Sequence, residues 1–110
     1  MSSNLNIIME QANSAILSRD YDFAEKILLN QLKKTKKTPD EYYKLKTILG
    51  KLYIRSGEIK KALEVYKELN NLNPNDVEIL NNLGVIYRHL ELYNESVVIL
   101  EKAKAIDSKN

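Results

Sequence analysis

The sequence predicts an all-α fold, an α-solenoid of three antiparallel helix-turn-helix units containing six helices. Three observations predict it. Residues 43–76 and 77–110 align without a gap at a register of 34, placing Leu49-Gly50 over Leu83-Gly84, Tyr53 over Tyr87, Ala62 over Ser96 and Tyr66 over Leu100. A fainter copy over residues 5–38 carries Ala12, Tyr21 and Ala24 at the matching places. Between sparse breakers, apolar residues recur at three- and four-residue spacing, as in Leu45, Ile48, Leu49, Leu52 and again in Ile79, Leu80, Leu83, Ile86, Leu90. That is the period of an amphipathic helix, and no alternating strand pattern competes with it. Self-similarity at such a period means stacked copies of one small unit, which present an extended surface rather than an enclosed cavity.

The elements follow in order. Two helices are expected over 5–18 and 21–36. Thr38-Pro39-Asp40-Glu41 places a Thr cap, a proline at the first helical position and a glutamate three after the cap, so a third helix opens there and runs over 39–55. Ala24 lies 38 residues before Ala62, and Ala62 lies 34 before Ser96, so residues 39–42 read as a one-turn insertion. Ser56-Gly57-Glu58 marks a turn, after which the fourth helix covers 58–71. Pro74 prevents that helix from continuing, and Asn75-Asp76-Val77-Glu78 repeats the cap-plus-glutamate signature for a fifth over 76–90. The sixth covers 93–107. A single domain over 1–110 is expected, with repeats at about 5–38, 43–76 and 77–110.

Composition narrows the function. The chain is 44% hydrophobic and 29% charged, which argues against wholesale disorder. A net charge of +2 gives no case for nucleic acid. The charge is uneven: it is 0 over residues 1–42, +3 over 43–76 and −1 over 77–110. There is no cysteine and one histidine, His89, so a typical zinc site cannot form, no nucleophilic triad is identifiable, and no cofactor is expected. No secretion-signal pattern opens the chain and no run approaches a membrane span, so the expected location is cytoplasmic, unless the chain is a fragment of a larger targeted protein, with no membrane partner.

A two-helix hairpin in 34 residues resembles the tetratricopeptide repeat. Counted from Val77 as position 1, the last unit carries Leu80 at 4, Leu83-Gly84 at 7–8, Tyr87 at 11, Tyr93 at 17, Ser96 at 20, Leu100 at 24 and Ala103 at 27. Positions 8 and 20 are small in every unit (Ala12 and Ala24, Gly50 and Ala62, Gly84 and Ser96), as two closely crossing helices require. Departures include Gln11 at position 7, Ala15 at 11, Lys46 at 4, Ile59 at 17, and Gln31 and Leu69 at 27. The resemblance implies a concave groove lined by the first helix of each hairpin and holding a peptide or protein partner. Its groove positions fall on Asn6, Met9, Asn13, Ile16 and Leu17, then Lys44, Thr47, Lys51, Ile54 and Arg55, then Glu78, Asn81, Val85, Arg88 and His89, with Asn82 beside them. The family's clamp for the acidic tails of heat-shock chaperones is not implied. Its places hold Met9, Asn13, Ile48, Glu78 and Asn82, of which only Asn13 matches.

The leading expectation is therefore a non-catalytic adaptor. Lys44, Lys51, Arg55 and Arg88 would form a positive stripe for an acidic segment of the partner. The alternative is an assembly or homodimerisation scaffold using the last helix, where Val97, Val98 and Leu100 make an unusually apolar outer face. An RNA-binding helical repeat is the third reading, disfavoured by the charge. Lys33-Lys34-Thr35-Lys36-Lys37 reads as cations at a helix C-terminus, where they complement the dipole. The template tyrosines read as packing residues, whereas Tyr42 and Tyr43 are off-template and expected at the surface.

Overall fold

Helices form where the apolar spacing and the breakers place them. The computed structural model describes residues 2–108, and side chains over 4–108, so the last two positions of the third predicted repeat lie outside the described residues. It contains α1 (Ser2–Leu17), α2 (Tyr21–Lys34), α3 (Pro39–Ser56), α4 (Ile59–Leu72), α5 (Val77–His89) and α6 (Tyr93–Asp107), with no strand among the described residues. These are the six predicted helices, their ends moved by three residues at most. The third helix has 18 residues against 13 in the fifth.

Capping is mixed. Asp20 caps α2 by accepting from the Phe23 amide at 3.4 Å, and Asp76 caps α5 by accepting from the Glu78 amide at 3.1 Å. Thr38 occupies the N-cap of α3 but makes no side-chain cap bond, contrary to the sequence signature. Its hydroxyl donates instead to the Thr35 carbonyl at 3.0 Å, closing the loop that joins α2 to α3. Thr35 is itself buried, donating to the Leu32 carbonyl at 3.3 Å and ending α2 two residues before the expected boundary.

The chain divides into two compact units, Met1–Glu58 and Ile59–Asn110, the boundary falling between the two helices of the second predicted repeat. In the first unit α3 packs on both α1 and α2. Ala12 and Ala24, at the predicted crossing positions, have no exposed surface, and Leu28, Leu45, Leu49 and Leu52 are fully buried. Each such leucine stabilises the fold by about 1.5–3 kcal/mol relative to an exposed one. Tyr53 on α3 donates to the Glu25 carboxylate of α2 at 2.6 Å, a polar bond between a second helix and the first helix that follows it.

In the second unit α5 packs on α4 and on α6. The crossing of α5 with α6 is direct: Ser96 Oγ donates to the Gly84 carbonyl at 2.8 Å. A Cβ at Gly84 would overlap Cγ and Cδ2 of Leu100, so position 8 is glycine because position 24 of the same hairpin lies on its backbone. Tyr66, Ile79, Leu80, Leu83 and Ile86 fill the core. Tyr66 of α4 accepts from Asn82 of α5 at 3.2 Å.

One turn recurs three times. Arg19, Gly57 and Glu91 all adopt positive φ, at 68°, 82° and 61°. Each is position 15 of its repeat. The amide of that residue bonds three residues back (to Ile16, Ile54 and Arg88), and the next amide bonds five back (to Ala15, Tyr53 and Tyr87). This is the Schellman ending, in which a left-handed residue lets the chain satisfy the last carbonyls of one helix and reverse into the next. Only Gly57 announced it in the sequence.

Candidate functional site

The groove positions belong to the first helices of the hairpins, and most reach solvent. On α3 the spacing of seven and four residues sets Lys44, Lys51 and Arg55 on one helix face, and all three are exposed. Thr47, between them, is half-buried, and its hydroxyl donates to the Tyr43 carbonyl one turn back, at 2.8 Å. On α1, Asn13 and Leu17 are exposed, Leu17 at 72%, but Ile16 is 6% exposed and belongs to the core rather than to a ligand surface. On α5, Asn81, Arg88 and His89 are exposed and Val85 is half-buried.

Asn82 is half-buried, and its amide donates to the Tyr66 hydroxyl at 3.2 Å, tying α5 to α4. Burial raises the Tyr66 phenol, and the nearby Glu78 carboxylate adds to this, while the Asn82 donor opposes it. The Tyr53 phenol is also raised, first by burial and then by its hydrogen bond and proximity to Glu25, with Glu58 contributing. Neither tyrosine is poised to give up its proton near neutral pH.

The outer face of α6 separates into two. Val97 and Val98 are 53% and 65% exposed, but consecutive helical residues point about 100° apart. Val98 lines a shallow hollow with Tyr87, Asn94, Glu95 and Ile99. Val97 shares its side of the helix with Tyr93, 59% exposed, and with Leu100. Leu100 is half-buried because its side chain covers Gly84, so it is the inner edge of that face rather than an outward residue. Tyr42 and Tyr43 are half-buried, and Lys46 Nζ lies 5.8 Å from the Tyr42 ring centroid, within reach of a cation–π contact.

Among the described residues no group of three or more His, Asp or Glu side chains is placed to hold a metal ion, and no helix is long and apolar enough to cross a membrane. The positions implied by the family resemblance include Asn13, Lys44, Lys51, Arg55, Asn81, Arg88 and His89, all of them exposed. Sequence reasoning missed the bonds Tyr53–Glu25 and Asn82–Tyr66, which pair residues 28 and 16 apart in sequence.

Comparison with known proteins agrees with this geometry. A TPR repeat family model matches residues 50–90, and a tetratricopeptide repeat model matches 77–110. The BBSome complex member BBS4 of Bos taurus is 32% identical over 63 residues, which is 57% of this chain and 12% of that protein. BBS4 of Mus musculus is 38% identical over 40 residues, 36% of this chain and 8% of that protein. The chain thus spans about a tenth of the length of the curated relatives it matches. Among solved structures, MamA (MSR-1) superposes with a TM-score of 0.76 at 18% identity, covering 96% of this chain and 58% of that one. BtubC from P. vanneervenii superposes with a TM-score of 0.80 at 22% identity, covering 93% and 45%. At these identities the likeness is one of fold, an all-α helical repeat. Two family models that together span residues 50–110, more than half of the sequence, and a fold that reproduces the hairpin crossing place the chain in the tetratricopeptide repeat family.

Proposed function

We infer that this chain is a non-catalytic, cytoplasmic adaptor whose first helices bind an acidic segment of a protein or peptide partner. Family membership supports a protein-interaction module in general terms. The observation that carries the narrower reading is the row of exposed cations on α3, Lys44, Lys51 and Arg55, in the repeat that holds a charge of +3. Arg88 and His89 are exposed on α5 of the second unit. Side chains carried on packed helices lose little freedom when a partner arrives, which favours binding without large ordering cost. Cations on an open surface act over roughly 8–10 Å at physiological salt, so they steer an acidic segment and select against a basic one more than they tighten the final complex.

The test is a paired capture from native cell extract using the wild-type chain and the Lys51→Glu/Arg55→Glu variant, with helical circular dichroism as the fold control. Partners carrying acidic segments should be retained by the wild type, released by added salt and lost from the variant. Equal retention by both proteins contradicts the reading.

A further inference from the structure

The charge of 0 over residues 1–42 conceals a segregation. Residues 26–39 hold five lysines (Lys26, Lys33, Lys34, Lys36 and Lys37) and no acidic residue, so the rest of that span carries −5. All five lysines are exposed. The dipole of α2 accounts for Lys33 and Lys34 in its last turn, but Lys26 lies two turns earlier, beyond the dipole's reach. Two large apolar residues stand among these cations, Phe23 at 44% exposed and Leu29 at 41%. Lys26, Leu29 and Lys33 follow one another at spacings of three and four, which puts them on one helix face. Phe23, Lys26, Leu29, Asn30 and Lys33 line a single open hollow there. That face points away from Ala24, Leu28 and Leu32, the residues that α2 buries in the first unit.

The chemistry of this face selects its partner. Every cation in it is a lysine, a point charge on a flexible aliphatic stem, without the planar fork by which arginine grips one phosphate or carboxylate. Such a set matches a diffuse sheet of negative charge. Phe23 could stack on a nucleic-acid base, but Leu29 offers a base no π face. Both side chains gain where an apolar layer begins at the depth reached by the lysine stems, as it does below the headgroups of a bilayer. We propose that this face of α2, with the loop that follows it, docks the first unit on an anionic lipid surface, the lysines meeting headgroups and Phe23 and Leu29 entering the boundary beneath them. Each lysine brought near an anionic leaflet strengthens association by about fivefold. The contact is peripheral and needs no spanning helix, so it revises the expectation of no membrane partner, which rested on the absence of a spanning run. It is separate from the row of cations on α3.

The test is co-sedimentation of the full chain with vesicles of phosphatidylcholine containing about 30% phosphatidylserine, and with phosphatidylcholine alone. The chain should pellet with the first and stay in solution with the second. Raising salt from about 0.1 M to about 1 M should release it, as the screening length falls from about 10 Å to about 3 Å. Lys33→Glu/Lys36→Glu should weaken the binding by about tenfold or more. Lys51→Glu/Arg55→Glu carries the same change in net charge and should weaken it far less. Leu29→Gln, at an exposed helix position that leaves the circular dichroism intact, should weaken it by about threefold or more. No pelleting with the anionic vesicles, or equal losses from the two charge-reversed pairs, overturns the proposal. Binding unchanged by Leu29→Gln also overturns it, by reducing the face to a general polyanion contact. So does tighter binding of a single-stranded RNA oligomer to the same lysines, which assigns the face to nucleic acid.

Discussion

Arg19, Gly57 and Glu91 occupy one backbone conformation, and only one of them is the residue that adopts it without steric cost. A left-handed φ brings Cβ against the following carbonyl, a penalty of roughly 1 kcal/mol that glycine escapes. Glu91→Gly and Arg19→Gly should therefore each stabilise the fold by about 0.5–1 kcal/mol, and Gly57→Ala should destabilise it by about the same amount. Nothing lies within 4 Å of a Cβ at Gly57, so the cost there is purely conformational. Urea unfolding measures all three, and a neutral Gly57→Ala would contradict the turn assignment. Gly84 is the opposite case, glycine for want of space. Gly84→Ala must displace Leu100 and should cost about 1–3 kcal/mol. The small residue at Gly84 was legible from its recurrence in the sequence. The turns at Arg19 and Glu91 were not, because neither residue favours positive φ and the turn is imposed by the helices on either side.

At the scale of elements, helix positions were legible because apolar spacing and two prolines set them. Polar detail was not, since it depends on which helices meet. Thr38 illustrates this: the residue type suits a cap, but the connection to Thr35 claims its hydroxyl. Val97 and Val98 read as one apolar run, yet the helix turns them to different sides. The bonds Tyr53–Glu25 and Tyr66–Asn82 tie each second helix to the next first helix. Tyr53→Phe should cost about 1–2 kcal/mol at neutral pH, as the Glu25 carboxylate loses a donor. Both phenols are raised from the ordinary 10.0, so the folded protein holds these protons more tightly than the unfolded chain. The corresponding stabilisation is complete below the unfolded value and is lost as pH rises through the folded ones. The urea midpoint should fall on titration above pH 10.0, and less steeply in the Tyr53→Phe/Tyr66→Phe variant. Identical slopes would contradict the assignment.

For the molecule as a whole, the chemistry lies on helix surfaces, and two surfaces of different character stand out. One is the cationic face of α3, followed along the sequence by Arg88 and His89 of α5. The other is the face of α2 on which Phe23 and Leu29 stand among lysines. The first was legible because charge at seven- and four-residue spacing is visible without a fold. The second was legible only as a lysine tract, because exposure of its two apolar members emerged with the packing of α2. Central to the account is acidic-partner recognition by α3, and the most direct measurement is amide-resolved NMR of the labelled chain during titration with an Asp/Glu-rich peptide. Shifts should concentrate at Lys44, Thr47, Lys51 and Arg55, and at Arg88 and His89, with α6 unaffected and the response suppressed by salt. A peptide that shifts none of these, or that shifts the lysines of α2 instead, would contradict it.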